Sequence, residues 1–191
     1  MTPFWFARLL AVLVVAVFAV AALPGAPAVA AETDKFRAQL TPLQEAPVCS
    51  STGSGTFRGT LSADETTIAY ELTYDFEGTV TQAHIHLGQK GVSGGISVWL
   101  CQTAGSVDPT GLSPTCPSSP GTVTGTFTKA NVVGPVTQGI AGSATGASDP
   151  EFAELVRAMR HRLTYANVHS NICPGGEVRG QIKPGGGLDE D

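Results

Sequence analysis

Between Thr67 and Phe76 the side chains alternate without a break. Ile68, Tyr70, Leu72, Tyr74 and Phe76 fall on one side, and Thr67, Ala69, Glu71, Thr73 and Asp75 on the other. Successive side chains of a β-strand point to opposite faces, so this period of two marks a strand with one face in a core. The same alternation recurs through Phe36–Ala38–Leu40, Phe57–Gly59–Leu61, Ile96–Val98–Leu100 and Val123–Gly125–Phe127. Further strands are expected over Thr79–Leu87, Leu163–His169 and Glu177–Lys183. Ser62-Ala63-Asp64-Glu65 is a turn that joins the second and third strands as a hairpin. One helix is expected over about 149–160: Ser148 or Asp149 caps it, Pro150 suits its first turn, and Phe152, Leu155, Val156 and Met159 make one apolar stripe. His161 sits at its end, where a cation suits the dipole. About eight short strands and a single helix predict an all-β fold, a Greek-key-like β-sandwich or barrel, with the helix over one opening or edge. A parallel α/β fold would need several crossover helices.

The first 31 residues have the anatomy of a secretory signal peptide. Arg8 precedes an apolar run from Leu9 to Leu23, and Ala28-Val29-Ala30-Ala31 is a small-residue stretch suited to cleavage near Ala30 or Ala31. The run is short for a membrane span, which needs about 20 apolar residues, so no membrane association is expected after cleavage. A domain over 32–183 follows, then a flexible tail, 184–191, that is Gly-rich and then acidic. Lys and Arg number 11 against 16 Asp and Glu, with no basic cluster, which argues against a nucleic-acid partner. Four cysteines, Cys49, Cys101, Cys116 and Cys173, agree with an exported, extracellular chain. Cys101–Cys116 would staple a Pro/Gly/Ser/Thr-rich loop, leaving Cys49–Cys173 to tie the early chain to the late chain. A metal-thiolate site is disfavoured because no C-x-x-C spacing occurs.

Three polar stretches share a logic. His84 and His86 lie on one face of their strand, with Ala83, Ile85 and Leu87 on the other. Asn167 shares a face with His169, and Glu177 with Arg179 and Gln181, while Ala166, Val168, Val178 and Ile182 look toward a core. If these strands are neighbours, His84, His86, His169, Asn167, Glu177 and Arg179 gather on one surface. Neutral imidazoles ligate zinc or copper, and a carboxylate one bond further out can orient them. The alternative is a structural network, with Glu177 paired to Arg179 and the histidines bonded to backbone in the Gly-rich turn after Leu87. Trp99 faces away from its strand's apolar set; an edge or helix-covered position suits it better than a place on a binding surface.

The ordered set of motifs resembles the CHRD domain, a module named after chordin and also found singly in secreted microbial proteins. The matching pieces are Phe36–Leu40 with Gln44-Glu45-Ala46-Pro47-Val48, Ala83-His84-Ile85-His86 with Gly88 and Gly91, Ile96–Leu100, Tyr165-Ala166-Asn167-Val168-His169, and Pro174-Gly175-Gly176-Glu177-Val178-Arg179-Gly180-Gln181-Ile182. The chain departs from the usual pattern in its four cysteines and its helix. In chordin the module belongs to a secreted antagonist of growth-factor ligands, and the stand-alone members carry over no activity.

Catalytic signatures are missing from the sequence. There is no G-x-S-x-G, no phosphate loop and no dinucleotide fingerprint, and no cysteine stays free if both disulfides form. The reading is a secreted, non-catalytic binding or structural module whose partner is a protein or cell-surface component. Its rival is an exported metal-binding protein that uses the histidines for zinc or copper, with redox activity. Copper/zinc superoxide dismutases share a His-x-His strand on a β-sandwich, but their bridging histidine and aspartate have no counterpart here.

Overall fold

The computed structural model describes residue 1 and residues 34–105, 107–143, 146 and 151–185. The strands are β1 (Lys35–Leu40), β2 (Ser54–Leu61), β3 (Thr67–Asp75), β4 (Val80–Leu87), β5 (Gly95–Gln102), β6 (Gly121–Thr128), β7 (Thr164–Ser170), β8 (Val178–Gln181) and β9 (Lys183–Pro184); the helix α1 (Phe152–Arg160) precedes β7. They form two antiparallel sheets, one in the order β6-β3-β2-β1-β9 and the other in the order β5-β4-β7-β8. This is the sandwich rather than the closed barrel.

The alternating faces do what the pattern requires. Phe36, Leu40, Phe57, Leu61, Ile68, Leu72 and Phe127 from the first sheet meet Ile85, Val98, Leu100, Val168 and Val178 from the second in one buried cluster. Each such side chain removed from water contributes about 1.5–3 kcal/mol. Tyr70 crosses the interior and donates its hydroxyl to the Leu100 carbonyl at 2.6 Å, which satisfies a buried polar group without breaking the core. Both disulfides expected from the sequence are present, Cys101–Cys116 and Cys49–Cys173.

Three departures from the sequence reading have physical causes. The strand expected over Glu177–Lys183 divides at the fully buried Ile182. Val178–Gln181 pairs with β7, whereas Lys183 and Pro184 leave that sheet to pair with Arg37 and Phe36 of the other. A local pattern cannot reveal such a switch, because both halves keep the same period. The helix begins at Phe152, and the carboxylate of the preceding Glu151 accepts the Ala141 N–H at 2.6 Å. The expected caps Ser148 and Asp149 lie outside the described residues, as do the leader and the tail beyond Gly185. Finally, every residue of β7 is buried, on both faces. The outer face of its sheet is therefore covered, and what covers it builds the site.

The apolar stripe of α1 is buried as expected, with the Phe152 ring 6.2 Å from that of Phe127. Arg160 at its end pairs with Asp34, just before β1, and Glu65, in the β2–β3 turn, so the helix lies over the end of the first sheet where β1 begins, which is the opening rather than the edge. His161 follows as its C-cap residue, exposed and remote from the other histidines.

Candidate metal centre

The outer face of the second sheet brings together side chains from four strands. Register places His84 opposite Trp99 of β5 on one side and Asn167 of β7 on the other, His86 opposite Tyr165, and Gln82 opposite His169. Two register shifts between β4 and β5, on either side of His84 and Ile85, bend the ladder at this point. Three loops close over the face. Thr41 exchanges backbone hydrogen bonds with Arg179 on β8, at 3.0 and 3.2 Å, and this directs residues 42–49 across the sheet. The β4–β5 turn is held from below: Arg179 donates through Nη2 to the Gln89 and Val92 carbonyls at 3.1 and 2.8 Å, and Gln181 donates to the Gly88 carbonyl at 2.9 Å. The β7–β8 turn supplies the Pro174 carbonyl and Gly176.

Under these loops lie the three imidazoles. His84 is fully buried, and His86 and His169 are 8% and 7% exposed. Nitrogens of the three rings, one from each, all lie within 4.8 Å of one another. His86 places Nδ1 3.0 Å from the Gly94 carbonyl, and His169 places Nδ1 2.9 Å from the Pro174 carbonyl. A carbonyl can only accept, so each Nδ1 carries the proton and each Nε2 presents a lone pair. His84 Nδ1 lies 3.2 Å from His169 Nε2 and donates to it. That leaves Nε2 of His84 and Nε2 of His86 buried with no partner. Burial holds all three rings neutral: His84 is pushed down to about 2 by burial and then by His169 and His86, His86 down to about 4, and His169 also below its ordinary value.

The rest of the face positions these rings. Tyr165 stacks on His86, ring centroids 4.7 Å apart and planes 3° from parallel, and the Arg179 guanidinium lies 3.4 Å over the same tyrosine ring. The Gly94 peptide latches both aromatic rings: its carbonyl takes the His86 proton, and its N–H donates to the Tyr165 hydroxyl at 3.2 Å. A Cβ at Gly94 would overlap the Leu87 carbonyl, so no other residue fits that latch. Trp99, on the edge strand β5, stands edge-on to His84 at 4.2 Å. It is half-buried and part of the site, and of the two positions read from the sequence it takes the edge.

Glu177 and Arg179 do not form the pair that the structural alternative invoked. The Glu177 carboxylate accepts the Ser170 hydroxyl at 2.6 Å, while Arg179 is committed to the turn carbonyls and to Tyr165. Asn167 does not face the imidazole nitrogens either; it donates to Glu45 at 2.6 Å. Glu45 is the participant that strand parity could not reveal, because it sits between Pro42 and Pro47 in a loop. Burial raises its carboxyl to about 8, against the opposing pull of Arg179 and Asn167. Tyr165 was within reach of the sequence, since it shares the parity of Asn167 and His169. Cys49, Cys173 and Glu177 also cluster, but the disulfide removes both thiols as ligands.

The family model of the CHRD domain matches residues 36–182. The chain belongs to the CHRD domain family. This membership supports a non-catalytic binding or structural module, and with two disulfides it is compatible with an extracellular protein. No curated protein and no solved structure matches the chain significantly. Among the described residues, no helix of this CHRD-domain protein is long and apolar enough to cross a membrane.

Proposed function

We propose that this CHRD-domain protein is a secreted, non-catalytic binding module that holds one zinc or copper ion between His84, His86 and His169. The observation that carries the reading is the pair of buried imidazole nitrogens, His84 Nε2 and His86 Nε2, that have no hydrogen-bond partner. An orphaned buried polar group costs about 1–3 kcal/mol, and buried groups are normally satisfied. A metal ion would take up these two lone pairs, and the third, that of His169 Nε2, becomes a ligand by giving up the hydrogen bond it accepts from His84 Nδ1. The carbonyls of Gly94 and Pro174 already fix the tautomers of His86 and His169 in the way ligating imidazoles require. Metal–nitrogen bonds of about 2.0–2.1 Å bring ligand nitrogens to within about 3.3–3.6 Å of one another, so a gap at the 4.8 Å limit would close by about 1.2–1.5 Å on binding.

Elemental analysis of protein purified without a polyhistidine tag tests this. About one equivalent of zinc or copper per chain is expected, with loss of the metal in His86→Ala and His169→Ala. Metal-free protein that takes up neither ion on titration would refute it. Secretion rests on the leader at 1–31 and on the disulfides, and N-terminal sequencing of exported protein checks it.

A second reading, a protein or cell-surface partner, draws on Leu43, Val48 and Val92. These are large apolar side chains exposed on two of the loops that frame the histidines. Asp in place of Leu43 and Val48 should abolish retention on the producing cell's surface if that reading holds.

A further inference from the structure

Resting on the metal-site reading, we infer that the ion this pocket selects is monovalent copper, in preference to any divalent ion. Three features of the site point the same way.

The donor set is electrically neutral. The two buried carboxylates of this face are turned elsewhere, Glu45 to Asn167 and Glu177 to Ser170. Neither joins the imidazole cluster, so no anionic ligand offsets the charge of a bound ion. For neutral imidazoles, affinity among divalent ions favours copper over zinc, and copper alone of the two has an accessible monovalent state.

A fixed cation lies one ring away. Arg179 is 2% exposed, stacks on Tyr165, and Tyr165 stacks in turn on the ligand His86. Its Nη2 is bonded to two turn carbonyls, so the guanidinium is held against retreat. The repulsion it exerts on a bound ion doubles when the ion's charge doubles.

The surroundings offer little water. His84 is fully buried under Trp99, and His86 and His169 are only slightly exposed. The cost of placing an ion in such a site rises with the square of its charge. Divalent zinc in a protein site takes a fourth ligand, by default water, whereas the monovalent d10 copper ion accepts a coordination number of three, so coordination number and charge separate the two ions.

Competition under anaerobic conditions tests the inference. Metal-free protein is titrated into the copper(I)–bicinchoninate complex with ascorbate present, and separately, without ascorbate, with zinc against a fluorescent zinc indicator and with copper(II) against a copper(II) chelator of known affinity. One equivalent of copper(I) should transfer, quenching Trp99, with zinc bound on the order of a thousandfold more weakly. Arg179→Met removes the cation and should narrow the copper(I)-over-zinc preference about tenfold or more, while Arg179→Lys should retain most of it. Should Arg179→Met fail to fold, the wild-type ratio alone decides. Zinc or copper(II) bound as tightly as copper(I) overturns this inference and leaves the metal site standing. No uptake of any of the three ions overturns both.

Discussion

Acidifying the metal-free protein should destabilise it in a way that counts its buried imidazoles. His84, His86 and His169 are all held neutral in the folded chain, chiefly by burial, and return to about 6.5 when it unfolds. Below that value the unfolded chain binds protons that the folded chain refuses, so stability falls as pH falls. Each group contributes up to about 1.4 kcal/mol per pH unit, so His84 and His86 together give up to about 2.7 kcal/mol per unit, and His169 adds in the same direction. Glu45 acts in the opposite sense. Folded, it keeps its proton up to about 8; unfolded, it releases it near 4.5, so its contribution is greatest at low pH and is lost as pH rises toward 8. The net slope between about pH 6 and 5 is thus at least about 1 kcal/mol per unit, a measurable part of the 5–15 kcal/mol typical of a folded domain. Urea unfolding of EDTA-treated protein with intact disulfides measures it, followed by Trp99, which stands against His84. His84→Gln should remove about 1.4 kcal/mol per pH unit, half or more of that net slope, because the opposing Glu45 contribution stays. Stability that is flat or rises from about pH 7 to 5, the range in which histidine ordinarily titrates, would mean that the rings are solvated or already charged, and the argument from orphaned nitrogens would fail.

Glu45→Gln can still accept from Asn167 and has no proton to lose. It should abolish the decline in stability between about pH 6 and 8 that the wild type owes to this carboxyl, as read by the same urea titrations. Gly176 has φ +141°, and a Cβ there would run into the Glu45 carboxylate. Gly176→Ala should therefore cost about 1–3 kcal/mol by thermal or urea unfolding, and an unchanged midpoint would refute the contact. The two disulfides close loops of very different length, with sequence separations of 124 for Cys49–Cys173 and 15 for Cys101–Cys116. In the chain-entropy model, replacing the first pair by serine should cost about 5 kcal/mol and the second about 3 kcal/mol, and the reverse order would contradict that account.

Much of this molecule was legible before any coordinates. The alternation from Thr67 to Phe76 is a local property, fixed by the pleat, and it identified the core face of β3 residue by residue. The same reasoning placed His84 with His86 and Asn167 with His169, and loop composition suggested Cys101–Cys116, leaving Cys49 to Cys173. Parity relates only residues of one strand, however. Whether His84 meets His169 depends on β4 and β7 being neighbours and on their register, and 85 residues separate the two rings in sequence. The role of Glu45 depends on Thr41 bonding to Arg179, which carries a loop from the first sheet onto the outer face of the second. The break at Ile182 likewise belongs to the packing of two sheets. Side-chain alternation is written into each strand by covalent geometry, whereas the imidazole cluster exists only where separate strands and three covering loops exclude water together.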